Sequence, residues 1–137
     1  GPQAAGRVGT GVTLFLRVDD LLRIAERILG EPLLIRDVGL LESAAARPAA
    51  SAFGEPAYPT LEEQGAALVH SVCTNHALVD GNKRLALGSL IVILGINGHR
   101  LTWSNDEAYG FIMAIAAGEL IDVPTIGLRI REATDPI

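Results

Sequence analysis

Only one cysteine, one lysine, one methionine and one tryptophan occur in the 137 residues, and several of these scarcities exclude something. With Cys73 alone, an internal disulfide is impossible and the paired cysteine spacings of zinc sites are absent, so a reducing cytoplasm is the expected compartment. Basic residues are outnumbered, 11 against 16 acidic, and form no block, which argues against a chain whose main task is gripping nucleic-acid phosphates. The longest apolar run, residues 85–96, is interrupted by Gly88, Ser89 and Gly95 and is too short for a bilayer, so no membrane partner is expected. Period-two alternation over a strand's length is missing, as is any internal repeat. The opening Gly1-Pro2-Gln3 carries no initiator methionine and reads as a protease-cleavage scar. Residues 1–11 are therefore expected to be a tag remnant or disordered start, and residues 12–137 the folded domain.

What is present is apolar. A hydrophobic share of 49% against 20% charged residues, rich in Ala, Leu, Ile and Val, predicts a compact, all-α, single-domain helical bundle with at most one short hairpin. Asp19 is placed to cap a first helix whose Leu21, Leu22, Ala25, Ile28 and Leu29 follow helical spacing until Gly30 and Pro32. Residues 36–47 predict a second, short helix stopped by Pro48. Residues 49–59 break the pattern, because Phe53-Gly54-Glu55-Pro56-Ala57-Tyr58-Pro59 mixes turn formers with two aromatics, and an ordered loop or small hairpin follows. Thr60-Leu61-Glu62-Glu63 and Ser104-Asn105-Asp106-Glu107 are capping boxes, the first opening a helix that leads to His76 and the second a helix reaching Gly118. Between them residues 82–96 predict a central buried helix ended by Asn97-Gly98, and Pro124 suits the first turn of a last helix.

The single lysine, Lys83, falls inside His76-Ala77-Leu78-Val79-Asp80-Gly81-Asn82-Lys83-Arg84, at the start of the helix expected from residue 82. First-turn amides lack intrahelical partners and carry the positive end of the helix dipole, which makes an anion site. Gly81 allows a left-handed or close-approach backbone, Asn82 can cap the helix or bond an oxyanion, and Lys83 and Arg84 add two cations within a turn. Asp80 beside a phosphate makes sense with Mg²⁺ between them, since that ion is commonly held by one or two carboxylates plus substrate phosphates. The imidazole of His76 can take a proton from an attacking hydroxyl. Singly, each residue fits a capped helix start in solvent; together within nine positions they point to a nucleotide with Mg²⁺.

Other polar residues carry less. His70 lies on an apolar-spaced helix and is expected to be a hydrogen-bonded buried histidine, His99 has no assigned role, and Cys73 has no histidine at catalytic spacing. Gly6, Gly9 and Gly11 have the wrong order for a phosphate loop, and Trp103 is expected to pack in the core or staple a helix.

The nine-residue stretch resembles the signature of the Fic/Doc superfamily, His-x-Phe-x-Asp/Glu-Gly/Ala-Asn-Gly/Lys-Arg, found in a loop opening a central helix. It is most similar to the Doc (death-on-curing) branch of type II toxin-antitoxin systems: Lys83 stands where AMP-transferring relatives usually have glycine, and Leu87 where they carry a second arginine. Residues 36–44 and the Asn97-Gly98 ending are also Doc-like, and the resemblance covers roughly residues 14–130. It implies His76 as general base, Asp80 as the magnesium carboxylate, Gly81 and Asn82 as the phosphate nest, and Lys83 and Arg84 as the clamp on the phosphates of ATP. The implied reaction is transfer of the γ-phosphate to a threonine of elongation factor Tu, which stops protein synthesis. A helical bundle with a target-docking flap is implied as well, and Phe53, Gly54, Glu55 and Tyr58 are its candidate residues. So is a cytoplasmic, bacterial or prophage-encoded setting, with an antitoxin whose segment folds onto the toxin. Two departures stand out: Leu78 replaces the usual Phe, and Gly88 replaces an asparagine that Doc-like chains often carry. The alternatives are nucleotidyl (AMP) transfer to a protein hydroxyl and a catalytically silent binding protein.

Overall fold

The computed structural model describes residues 12–137, so the expected tag remnant, with Gly6, Gly9 and Gly11, lies outside the described residues. Six α-helices form the bundle: α1 (Val18–Leu29), α2 (Val38–Ala46), α3 (Leu61–Asn75), α4 (Asn82–Ile96), α5 (Asn105–Ala116) and α6 (Val123–Glu132). The sequence signals explain most of their boundaries. Thr60 Oγ1 accepts the Glu63 amide and Ser104 Oγ the Glu107 amide, each at 3.1 Å, and Asp122 caps α6 with Pro124 in its first turn. The first helix starts earlier than its expected cap: Arg17 is the N-cap and the Asp20 carboxylate accepts the Arg17 amide at 2.8 Å, which leaves Asp19 inside the helix. The second is shorter than residues 36–47. Asp37 caps it, accepting the Leu40 amide at 3.2 Å, and Pro48 turns its end into a 3-10 turn over Arg47–Ala49.

Centrality is the main difference from expectation within the bundle. The helix at the middle is α3, packed against α4, α6, α2 and α5, with buried residues from Gln64 to Val69 and again over Ser71 to Cys73. Its neighbour α4 buries Leu85, Ala86, Leu90, Ile93 and Leu94 against it but leaves Ile91 and Ile96 exposed. Helix α4 has no polar stripe to announce that outer face, because isoleucine and glycine occupy it. Leu21 and Ala25 of α1, Leu41 and Ala44 of α2, Phe111 and Ile115 of α5, and Ile126 and Ile130 of α6 close the core. Each large aliphatic side chain there contributes roughly 1.5–3 kcal/mol by leaving water. Trp103 stacks at 4.5 Å on Phe111, the packing role expected of it.

Strands are short. The expected hairpin is present as β1 (Ser51–Ala52) against β2 (Glu55–Pro56), turning on Phe53 and Gly54, both at positive φ. A second pair has no signal in the sequence: β3 (His99–Leu101) joins β4 (Thr134–Pro136), fastening the chain's last residues beside the end of α4. Asn97, in the helix stop before β3, clasps the backbone of Leu14, accepting its amide at 2.8 Å and donating to its carbonyl at 2.9 Å.

Candidate functional site

The loop between α3 and α4 is held in place from both sides. Helix α3 ends at Asn75, and His76 takes a left-handed conformation (φ 56°, ψ 47°) that is sparsely populated for a residue with a side chain. Arg36, forty residues earlier, fixes this turn: its Nε donates to the His76 carbonyl at 2.7 Å and its terminal nitrogen to the Asn75 carbonyl at 3.3 Å. The same segment then pairs with the loop like a strand. The Ala77 carbonyl accepts the amides of Arg36 (2.8 Å) and Asp37 (3.0 Å), the Val79 amide donates to Leu34 (3.1 Å), and Ile35 forms an antiparallel bridge with Leu78.

Leu78 is 1% exposed, so the leucine that replaces the usual phenylalanine still anchors the loop in the core. On its far side Asn82 uses its whole side-chain amide on Leu78, accepting the amide and donating to the carbonyl, both at 3.0 Å. This revises one expectation. Asn82 is neither the N-cap, which is Gly81, nor free to aim its side chain at an anion; what it can offer a phosphate is its backbone N–H. Gly81 has φ 92°, which favours glycine, and a Cβ there would lie 2.5 and 2.6 Å from the two end methyls of Leu29 and would have to push that side chain aside.

Helix α4 opens without a side-chain cap, and the amides of Asn82, Lys83 and Arg84 have no hydrogen-bond partner among the described residues. The Lys83 and Arg84 side chains are exposed and, within the same residues, make neither an ion pair nor a hydrogen bond. The His76 imidazole, exposed, is likewise without a side-chain hydrogen bond there. Unpaired cations beside an open helix N-terminus, in a chain of net charge −5, create a local field that attracts anions. All of these groups line one cleft of about 550 Å³, where His76, Asp80, Gly81, Asn82, Lys83 and Arg84 meet Cys73, Val79, Tyr109, Met113 and Ala116. A more apolar recess of about 300 Å³ adjoins it, sharing Lys83, Arg84, Tyr109 and Met113 and adding Leu87, Asn105, Ala108 and Ile112.

Tyr109 and Met113 were missed in the sequence. Their only signal is an i, i+4 spacing on α5, which reads as ordinary packing until the helix is seen to wall the cleft. Cys73 also borders it, but burial pushes its thiol up and Lys83 only partly offsets this, so it stays a protonated thiol and no nucleophile. His70 is half-buried rather than fully so, and its Nδ1 accepts from Arg47 at 3.0 Å; burial and then the Arg47 charge lower its pKa.

Asp80 is exposed, and one of its oxygens accepts the Gly81 amide at 2.9 Å, which leaves the other without a hydrogen bond among the described residues. No group of three His, Cys, Asp or Glu side chains that could cage a metal exists among the described residues. One free carboxylate oxygen beside phosphate-attracting groups fits a Mg²⁺ that is completed by substrate oxygens and water, not one caged by protein. Phe53, Gly54, Glu55 and Tyr58 do not line the cleft. Phe53 sits exposed at the hairpin tip, Gly54 borders a separate recess of about 380 Å³, and the Tyr58 hydroxyl accepts Arg47 Nε at 3.0 Å at the hairpin's base. At Gly88 an added Cβ would run into Ile28 Cδ1 and lie 3.3 Å from Ile24 Cγ2, so α1 packs closely here and Ile28 would have to turn aside for an asparagine.

Residues 15–94 match the family model described as the Fic/DOC family. Over 90 residues the chain is 46% identical to a protein named Toxin Doc from Mycolicibacterium smegmatis, an alignment covering 66% of this chain and 69% of that relative. No described helix is long and apolar enough to cross a membrane.

Proposed function

This chain belongs to the Fic/DOC family, and from that premise we propose that it is a Doc-like toxin that transfers the γ-phosphate of ATP to a threonine hydroxyl of elongation factor Tu and so blocks translation. The observation that carries the reading is the uncapped start of α4, with Lys83 and Arg84 unpaired, opening into the same cleft as the unengaged imidazole of His76. Phosphoryl transfer asks a protein chiefly for positioning and charge stabilisation, and this cleft supplies both.

In this proposal the amides of Asn82, Lys83 and Arg84 and the two cationic side chains hold the nucleotide's phosphates. Mg²⁺ at the unbonded oxygen of Asp80 would neutralise phosphate charge. His76 takes the proton as the acceptor hydroxyl oxygen bonds to the γ-phosphorus, and the bond from that phosphorus to the β,γ-bridging oxygen breaks to release ADP. Lys83 in the glycine place and Leu87 in the arginine place favour this over AMP transfer. The partners proposed are elongation factor Tu, engaged in part by the hairpin tip at Phe53 and Gly54, and an antitoxin that covers the cleft in the cytoplasm.

Purified protein with Mg²⁺, elongation factor Tu and ATP labelled on the α- or the γ-phosphate tests the reading. Label from the γ-position on the acceptor supports it. Label from the α-position would replace it with AMP transfer, and no label from either at high enzyme would leave a binding protein.

A further inference from the structure

One residue, Arg36, holds three successive carbonyls at the turn that carries His76. Its Nε donates to His76 at 2.7 Å, its terminal nitrogen to Asn75 at 3.3 Å and its backbone amide to Ala77 at 2.8 Å. The first two are the kind of acceptor a helix C-terminus leaves without partners, at the negative end of the dipole, and a planar guanidinium fork can serve both at once. Arg36 makes no ion pair among the described residues and does not line the cleft, so its charge is spent on these carbonyls and not on a ligand there.

The turn needs such a hold. Glycine is the usual residue at a left-handed helix end, because it has no Cβ to crowd the backbone. His76 stands there instead, at φ 56° and ψ 47°, a conformation that persists for a residue with a side chain only where the surroundings enforce it. No hydrogen bond among the described residues holds the ring, so the backbone decides where its Cβ sits and which way the imidazole can reach. The flanks have other ties: Asn75 Nδ2 donates to the Leu40 carbonyl at 3.4 Å, and Asn82 clasps Leu78. We propose that Arg36 is a positioning residue for the group-transfer reaction, its side chain fixing His76 in the left-handed conformation that presents the imidazole to the cleft. This rests on the reading of His76 as the base.

Kinetics and NMR on Arg36→Ala, Arg36→Lys and His76→Ala test it. The alanine variant keeps the backbone bonds to Ala77 and should lower kcat about tenfold or more while the KM for ATP stays put, as a misplaced base does. Lysine, a point charge in place of the fork, should recover part of the rate. Adding Arg36→Ala to His76→Ala should cost nothing further, because a group that acts through the imidazole has no effect once the imidazole is gone. A wild-type kcat in folded Arg36→Ala, a raised KM for ATP with kcat retained, or losses that multiply in the double variant would each overturn the proposal. Should alanine unfold the chain, Arg36→Gln, with one amide in place of the fork, is read in the same way. The hold is also visible without any reaction: the ring and Hα resonances of His76 should move in Arg36→Ala while the amide resonances of Lys83 and Arg84 stay, and unmoved His76 resonances would sink it. Failure of the wild-type protein to label the acceptor removes the proposed reaction, whereas the hold of Arg36 on His76 stands or falls on those resonances.

Discussion

Asn82 spends both ends of its side-chain amide on the backbone of Leu78, taking the N–H and giving to the C=O at 3.0 Å each. A residue at the first position of α4 thereby reaches back four residues to Leu78 and fixes the loop that carries His76. Asn82→Ala is expected to leave two backbone groups of a buried residue unsatisfied and to cost about 2 kcal/mol in urea unfolding. Asn82→Asp keeps the acceptor and loses the donor, so its loss should be smaller; equal stability of all three proteins would show that the clasp is idle.

Replacing His76 with alanine should slow phosphoryl transfer about a hundredfold or more, with nucleotide binding retained, because the imidazole has no hydrogen bond among the described residues whose loss would disturb the phosphate groups. Single-turnover rates and nucleotide titration separate the two effects. A rate equal to wild type would remove His76 from the base role.

Lys83 is exposed and makes no ion pair or hydrogen bond among the described residues, so Lys83→Met is expected to leave the melting temperature in place. The KM for ATP should rise about tenfold or more, in keeping with a charge-assisted contact to phosphate. A large fall in melting temperature would make the lysine structural instead.

Gly88→Asn, which restores the residue that Doc-like chains often carry, should damage this protein. Its Cβ would run into Ile28 Cδ1, the movable end of a side chain that is 40% exposed, and lie 3.3 Å from Ile24 Cγ2, so Ile28 has to turn aside at a cost at the low end of overpacking, about 1 kcal/mol. Adding Ile28→Ala should return most of the loss in a denaturation experiment; no recovery would place the strain elsewhere.

The pairing of His70 with Arg47 gives the fold an acid sensitivity. Burial, and secondarily the guanidinium, hold the His70 pKa below its ordinary value of 6.5. The unfolded chain therefore takes up this proton first as pH falls. The stability from the site is full above about pH 6.5 and is lost as pH drops through the lowered folded value. His70→Asn keeps an oxygen for Arg47 without a titrating ring, so melting temperature should fall less between about pH 7.5 and pH 5 than in wild type. Identical pH profiles would refute the linkage.

The two capping boxes, the helix stops, the hairpin turn and the nine-residue motif were legible in the chain because each rests on residues within a few positions of one another: Thr60 with Glu63, Ser104 with Glu107, Phe53 with Gly54. The family resemblance came from the same local stretch. Tertiary structure alone decided which helix is central, what Gly88 faces, and how the motif is held. Those answers depend on contacts between residues far apart in sequence: Arg36 on the His76 carbonyl, Ile35 against Leu78, Leu29 against Gly81, Ile28 against Gly88, and Tyr109 and Met113 across the cleft. Local hydrogen bonding and apolar periodicity write themselves into neighbouring residues, whereas a close approach between two helices leaves only a small residue on one of them and no mark of its partner.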